Sequence, residues 1–232
     1  MDNISLKKDN EIEEDNNHKL ISFSFYITYV FLLTTGTITF IEAMRTNNAE
    51  VRNILNLETC ISVVAAYFYG KFVDELDEKN INFNEINDTR YVDWSITTPI
   101  MLLVLCLAFL YNSKKGPLNF SAFLTILLFN YLMLGAGYIG ELGYISKTLA
   151  NTIGFGFFIA LYSFIYKMFL SGKYIFDNHL LFYCFLILWS FYGIFYTFGE
   201  VEKNIGYNIL DLFSKCFVGI FFWAYFTKVF SI

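Results

Sequence analysis

What this chain lacks already narrows what it does. No basic patch with interleaved aromatics occurs along its 232 residues, so nucleic acid is not among its expected partners. The formal net charge of −5 comes largely from residues 1–18 and the Asp74–Asp88 loop. Four cysteines, Cys60, Cys106, Cys184 and Cys216, match no metal-site spacing. Each falls in a different apolar stretch and is read as a packing residue, a poor disulfide partner once buried. The two histidines, His18 and His179, are too far apart in sequence to suggest ligation. The start of the chain lacks the basic-then-apolar order of a targeting segment. It carries Asp2, Asp9, Glu11, Glu13, Glu14 and Asp15 instead, so residues 1–18 are expected to form a disordered acidic tail outside the cell.

Apolar length is what the chain has in excess. It is 56% hydrophobic and holds only two prolines, and apolar stretches of membrane-spanning length recur along it. Seven spans are expected, at about Leu20–Met44, Ile54–Phe72, Tyr91–Tyr111, Leu118–Leu142, Leu149–Leu170, Leu180–Phe198 and Ile205–Val229. They imply an all-α membrane protein, a single seven-transmembrane helix bundle over residues 19–232, with the lipid bilayer as its surroundings. An odd number of spans puts the termini on opposite sides. Arg45, Arg52, Lys114, Lys115, Lys167 and Lys173 on one side outnumber Lys71, Lys79, Lys147 and Lys203 on the other, which favours a cytoplasmic C-terminus.

Lys215 stands alone in the apolar run Ile209–Phe226, with Asp211 one helical turn before it. A lysine at the centre of a span costs roughly 2.5–3.5 kcal/mol on insertion scales. Four residues apart, the carboxylate and the amine share one helix face. A buried lysine readily loses its proton, and a neutral amine condenses with an aldehyde; a plain ion pair holding helices together is the alternative. The third span opens Arg90-Tyr91-Val92-Asp93-Trp94-Ser95-Ile96-Thr97-Thr98-Pro99. Arg90, Asp93, Thr97 and Val104 form one helical stripe, in which Arg90 and Asp93 are expected to offset each other's desolvation and Thr97 to hydrogen-bond Asp93. A hydroxyl is expected to satisfy the carbonyl that Pro99 frees.

Arg90-Tyr91-x-Asp93-Trp94-x-x-Thr97-Thr98-Pro99, taken with Asp211-x-x-x-Lys215, resembles the microbial (type 1) rhodopsin family over all seven spans. Trp189-Ser190-x-Tyr192, Met133 and Gly137 within Met-Leu-Gly-Ala-Gly, and Tyr67-Phe68-Tyr69 extend the likeness. The acidic tail, Ile41-Glu42 and Asn56-Leu57-Glu58-Thr59 are most similar to rhodopsins of large DNA viruses. The resemblance implies that Lys215 binds all-trans retinal as a protonated Schiff base, with Asp93 and Asp211 as counterions and Arg90 balancing them. It implies that Trp94 and Trp189 sandwich the polyene, that Thr98, Met101, Met133, Gly137 and Tyr192 line its pocket, and that Tyr192 and Tyr69 hydrogen-bond Asp211. Light, not substrate turnover, then supplies the free energy, so no enzyme is expected.

Two departures from the family's pattern stand out. Valine at Val104 replaces a carboxylic acid that outward proton pumps of the family usually carry, and Gly193 replaces a common proline. Glu58 and Asn208 are expected, with Tyr69, to lie along the ion pathway: Glu58 as a substitute proton donor or part of a gate, Asn208 as an amide that holds water. On these residues the leading expectation is a light-gated cation channel, and the alternative is a light-driven outward proton pump. Cations or protons are the transported species, and the sequence leaves self-association open. A photosensory receptor ranks third, because the chain ends shortly after its last span with no signalling domain.

Overall fold

A computed structural model describes the backbone of residues 2–76 and 81–227, with side chains for residues 16–76 and 81–226. Seven helices follow one another: α1 Asp2–Arg45, α2 Ala49–Leu76, α3 Phe83–Ser113, α4 Phe120–Glu141, α5 Lys147–Leu170, α6 Phe176–Phe195 and α7 Glu200–Phe226. Side-chain caps set three of the starts. Asn82, Asn119 and Ser146 accept from the backbone N–H of Glu85, Ala122 and Leu149 and begin α3, α4 and α5. α3 stops where Lys114 turns left-handed at φ 50°, and the turn after α4 uses Gly143 at φ 76°. Each helix packs on its predecessor, α1 closes the ring against α7, and α3 meets α6 across the middle.

The distribution of side chains is that of a protein in lipid. Phe23, Val30, Leu33, Val63 and Ile159 are exposed around the outside, whereas Arg90, Asp93, Asp211, Lys203 and Lys215 are buried within. Among the described residues, six helices are apolar enough by length and composition to cross a membrane. The seventh, α2, falls short because Glu50, Arg52, Glu58, Lys71, Asp74 and Glu75 lower its hydropathy, although it is long enough and completes the bundle.

Several expected boundaries move outward. α3 starts at Phe83 instead of Tyr91 and α7 at Glu200 instead of Ile205, because helices run on through polar turns that an apolar span does not include. The Asp74–Asp88 loop is correspondingly short, being mostly the end of α2 and the start of α3; Lys79 lies outside the described residues. The backbone is helical from Asp2, where a disordered tail was expected. That segment contains no proline or glycine, so a helix nucleated in the span propagates back through it; the side chains of residues 1–15 lie outside the description. Cys106 and Cys216 are buried as expected, but Cys60 and Cys184 are exposed on the bundle's outer surface, and all four are free.

Two irregularities bear on the interior. α5 ends in a π-helical turn, Tyr166–Leu170, and α7 contains one at Leu212–Phe217, where the Val218 amide reaches back to Phe213 O. Single π turns inside α-helices occur frequently at functional sites, and this one carries Lys215. In α3, Pro99 removes the amide that would have bonded Ser95 O. The Tyr131 hydroxyl of α4 donates to that carbonyl at 3.0 Å, the satisfaction expected from sequence. Tyr131→Phe should therefore cost about 1 kcal/mol, in line with polar contacts between membrane helices. Pro99→Ala, which restores the amide, should make the tyrosine change nearly neutral; thermal denaturation of the two single variants and the double variant checks the coupling.

Candidate functional site

The site is built around the amine of Lys215. Its Nζ donates to Asp93 Oδ2 at 2.7 Å and to Asp211 Oδ2 at 3.2 Å, and all three side chains are at most 1% exposed. Asp211 is held on both oxygens: Tyr192 donates to Oδ1 at 2.6 Å and Tyr69 to Oδ2 at 2.9 Å. Both tyrosine contacts match the expectation from sequence. Asp93 Oδ1, by contrast, is buried with no hydrogen-bond partner among the described residues.

Arg90 is the second cation, and it does not pair where expected. Its Nη1 lies 3.7 Å from Asp211 Oδ2, and no ion pair with Asp93 forms. Helical side chains lean toward the helix N-terminus, so Arg90 points away from the residue one turn ahead of it. Nη2 donates to Asn208 Oδ1 at 2.9 Å and to Asn204 Oδ1 at 3.2 Å, while Nη1 reaches the Tyr69 hydroxyl at 3.4 Å. The rings of Phe25, Tyr69, Phe72 and Tyr207 surround the guanidinium at 5.0–5.8 Å, within cation–π range. Thr97 also differs from expectation. Its hydroxyl donates to the Asp93 main-chain carbonyl at 2.9 Å, the back-bonding usual for threonine within a helix, and not to the carboxylate. Lys215, Arg90, Asp93 and Asp211 together form two positive and two negative charges, so the cluster is neutral as well as buried.

Beyond the amine runs an apolar cavity whose lining includes Trp94, Thr98, Met101, Met133, Gly137, Trp189 and Tyr192, every pocket residue expected from sequence. Tyr91, Phe155, Phe158 and Tyr207 complete much of its aromatic wall. Tyr207 packs on Trp94 with ring centroids 5.0 Å apart and stacks on Tyr192 at 5.6 Å. Thr98 is fixed by the Asn130 amide, which donates to its hydroxyl at 2.8 Å. Gly137 and Gly193 are close-approach positions. A Cβ on Gly137 would sit 2.5 Å from Tyr91 Oη, and one on Gly193 would meet the Phe155 ring at 2.6 Å. At Gly193 the missing side chain therefore gives space to an aromatic wall of the cavity. A cavity with a lysine amine at one end, two carboxylates beside it and aromatic walls beyond fits a long apolar aldehyde that Lys215 Nζ would hold, with Asp93 and Asp211 to balance a positive charge there.

Asn208 was read as an amide open to water; its surroundings are protein. Oδ1 accepts from Arg90, Nδ2 donates to Ser24 Oγ at 2.9 Å, and its carbonyl accepts from Thr28 at 3.1 Å. The asparagine joins α1, α3 and α7 and braces Arg90. Glu58 is 2% exposed on α2, and its carboxyl makes no hydrogen bond or ion pair with a described residue; α7 approaches it at Gly219. Val104 is fully buried in the apolar core.

Sequence reasoning missed a second ionic cluster, where α7 begins. Lys203 is fully buried and bonds Glu141 at 2.9 Å and Glu200 at 2.9 Å, while Lys147 bonds Glu200 at 2.9 Å and Asn87 donates to Glu200. Asn204 connects the two clusters by donating to Glu200 O. Lys147 and Lys203 had been counted as loop charges. The signal was present, because Glu200, Lys203, Asn204, Tyr207, Asn208, Asp211 and Lys215 recur every three or four residues along one face of α7.

Comparison with known proteins agrees with this geometry. The profile of bacteriorhodopsin-like proteins matches residues 19–229. A crystal structure of the viral rhodopsin OLPVRII superposes with a TM-score of 0.85 at 55% identity, covering 91% of this chain and 100% of that one. A green-light absorbing proteorhodopsin of gamma-proteobacterium EBAC31A08 is 23% identical over 222 residues, 86% of this chain and 84% of its relative. The proton pumping rhodopsin AR2 of the marine alga Acetabularia acetabulum shares the fold, with a TM-score of 0.72 at 16% identity over 92% of this chain and 97% of that one. The chain belongs to the bacteriorhodopsin-like family of retinal-binding, multi-pass membrane proteins.

Proposed function

We propose that this protein is a light-driven outward proton pump in which Glu58 replaces the missing carboxylic acid at Val104. One observation carries the choice over passive conduction: Glu58 is enclosed by the bundle with no counter-charge at its side. Burying an unpaired charge is costly enough that such carboxyls take up a proton, which makes them able to give one back. The commitment of the Asn208 side-chain amide to Arg90, Tyr69 and Ser24 supports the same reading, since an amide held by protein partners is not free to line a water-filled path. In this reading α7 begins at the outer surface and the C-terminus faces the cytoplasm, placing Glu58 on the cytoplasmic side of Lys215.

What retinal supplies when bound to Lys215 is absorption of light and an isomerisation that turns the Lys215 nitrogen. The side chains do the rest. Asp93 is the nearer carboxylate at 2.7 Å and has an oxygen free of protein donors, so it accepts the Lys215 proton. Asp211 is already committed to two phenol hydroxyls and lies beside the guanidinium, so it is the less available of the two carboxylates. Arg90, which already donates to Asn204, lies between this pair and the Glu200–Lys203 cluster and links the two. Glu58 then returns a proton to the Lys215 nitrogen from the other side.

The visible band reports the first of these roles. Asp93→Asn should shift it to the red and abolish proton transport, because the cation on Nζ loses the negative charge that stabilises its ground state. Acidifying the wild type until Asp93 takes up a proton should give the same red shift. An unmoved band in both cases assigns the main counterion elsewhere. Whole-cell photocurrent against voltage, with cations varied on each side, separates pump from channel. The current should stay outward across the range and ignore sodium and potassium gradients; a sign reversal that follows a cation gradient would instead establish conduction. Glu58→Gln should slow return of the proton to Lys215 by roughly a hundredfold, the scale of a lost general acid. Val104→Asp in that background should restore much of the rate.

A further inference from the structure

Two hydroxyl groups near Glu58 find no oxygen or nitrogen partner among the described residues. Thr35 on α1 and Ser62 on α2 are both fully buried, yet neither side-chain oxygen bonds an oxygen or nitrogen of the described residues; Thr35 has only the Cys216 thiol beside it. Their behaviour is unusual for this bundle. Thr28, Thr39, Thr97 and Thr98, equally buried in helices, all donate to the carbonyl four residues back. A buried hydroxyl that forgoes this bond needs another partner, and ordered water is the usual one.

The positions of these groups give the water a path. Ser62 lies one turn beyond Glu58 on the same face of α2. A Cβ placed on Gly219 of α7 would sit 2.8 Å from Thr35 Cγ2 and 3.1 Å from Glu58 Oε2, so the three helices converge on one point. A Cβ on Gly36 would lie 3.2 Å from Ser62 Cβ, bringing α1 and α2 equally close there. The Cys216 thiol, in hydrogen-bonding contact with the Thr35 hydroxyl, belongs to the residue after Lys215 and joins Thr35 to that turn. The hydroxyls thus stand between the Glu58 carboxyl and the π turn that carries the amine. Nothing comparable lines the α3 side, where Val104 is packed among apolar residues.

We propose that Thr35 and Ser62 bind water between Glu58 and the Lys215 turn, that Gly219 lets Thr35 and Glu58 pack closely against α7 there, and that the returning proton travels along this α1–α2–α7 passage. The inference rests on Glu58 being the donor. The Glu58 O–H bond breaks as its proton joins the bound water, and that water releases one of its own protons toward Lys215 Nζ. The water is regenerated, Glu58 is left as a carboxylate, and a proton from the cytoplasmic side restores it. Thr35, Ser62 and Gly219 are positioning residues, acting on the proton through water and not touching it as acid or base.

Light-minus-dark infrared spectra of the retinal-loaded protein in lipid test this directly. The band lost in Glu58→Gln identifies the carboxyl C=O stretch of Glu58. Ser62→Ala and Thr35→Val should move that band to higher wavenumber, as a carboxyl losing hydrogen bonds does, and should slow proton return to Lys215 several-fold. Ser62→Thr and Thr35→Ser, which keep the hydroxyl, should leave both near wild type. Gly219→Ala should slow return without removing any polar group, because its methyl displaces Thr35 and Glu58. Should Thr35→Val fail to fold, Ser62→Ala alone decides. An unmoved band and unchanged rate in Ser62→Ala, with Glu58→Gln still slow, would overturn the water passage and leave the donor role of Glu58 standing. A Glu58→Gln protein with normal proton return would remove the donor and the passage together.

Discussion

An ammonium group in the middle of a membrane helix must be neutralised by its neighbours, and the organisation of this bundle follows from that constraint. Lys215 is balanced by Asp93 from α3 and Asp211 from its own helix. Two carboxylates against one amine leave a surplus negative charge, which Arg90 cancels. Arg90 in turn needs partners for its own donors, and Asn204, Asn208 and Tyr69 provide them within a cage of aromatic rings. Tyr69 belongs to α2, Tyr192 to α6, and the Ser24 that holds Asn208 to α1. Five of the seven helices are thus tied to a single buried charge, while α4 and α5 contribute mainly the apolar wall of the cavity.

The two ends of the bundle are built on different principles. At the start of α7, Lys203 and Lys147 interlock with Glu141 and Glu200, stitching α4, α5 and α7 together with charge. At the opposite end Glu58 is an isolated carboxyl near the Thr35 and Ser62 hydroxyls, and Asn112, Asn178, Asp177 and Tyr225 join the ends of α3, α6 and α7 by hydrogen bonds without an ion pair among the described residues.

Much of this was legible in the sequence, for a physical reason. Charged residues inside apolar runs are so costly that each one advertises a partner, so Lys215, Asp211, Asp93 and Arg90 could be picked out individually. The aromatic pocket followed from the likeness to microbial rhodopsins, and Tyr69 and Tyr192 meet Asp211 as that likeness implied. Pairings were harder to read than residues. Spacing placed Arg90 beside Asp93, but side-chain direction turned it to Asp211 and two asparagines. The Lys203 cluster escaped notice because its charges sit near a span boundary, where a lysine in a loop and one buried between glutamates look alike. The free hydroxyls of Thr35 and Ser62 left no sequence signal, since most buried threonines in these helices bond their own backbone.

Transport against a gradient is the property that separates this account from its alternatives. Cells expressing the protein, supplied with all-trans retinal and suspended in unbuffered medium, should acidify that medium on illumination. A protonophore should abolish the change, and replacing sodium and potassium in the medium should leave it intact. Light-induced pH changes that merely follow the existing proton gradient, or that vanish when the alkali cations are removed, would contradict the pump and return Glu58 to the wall of a conducting path.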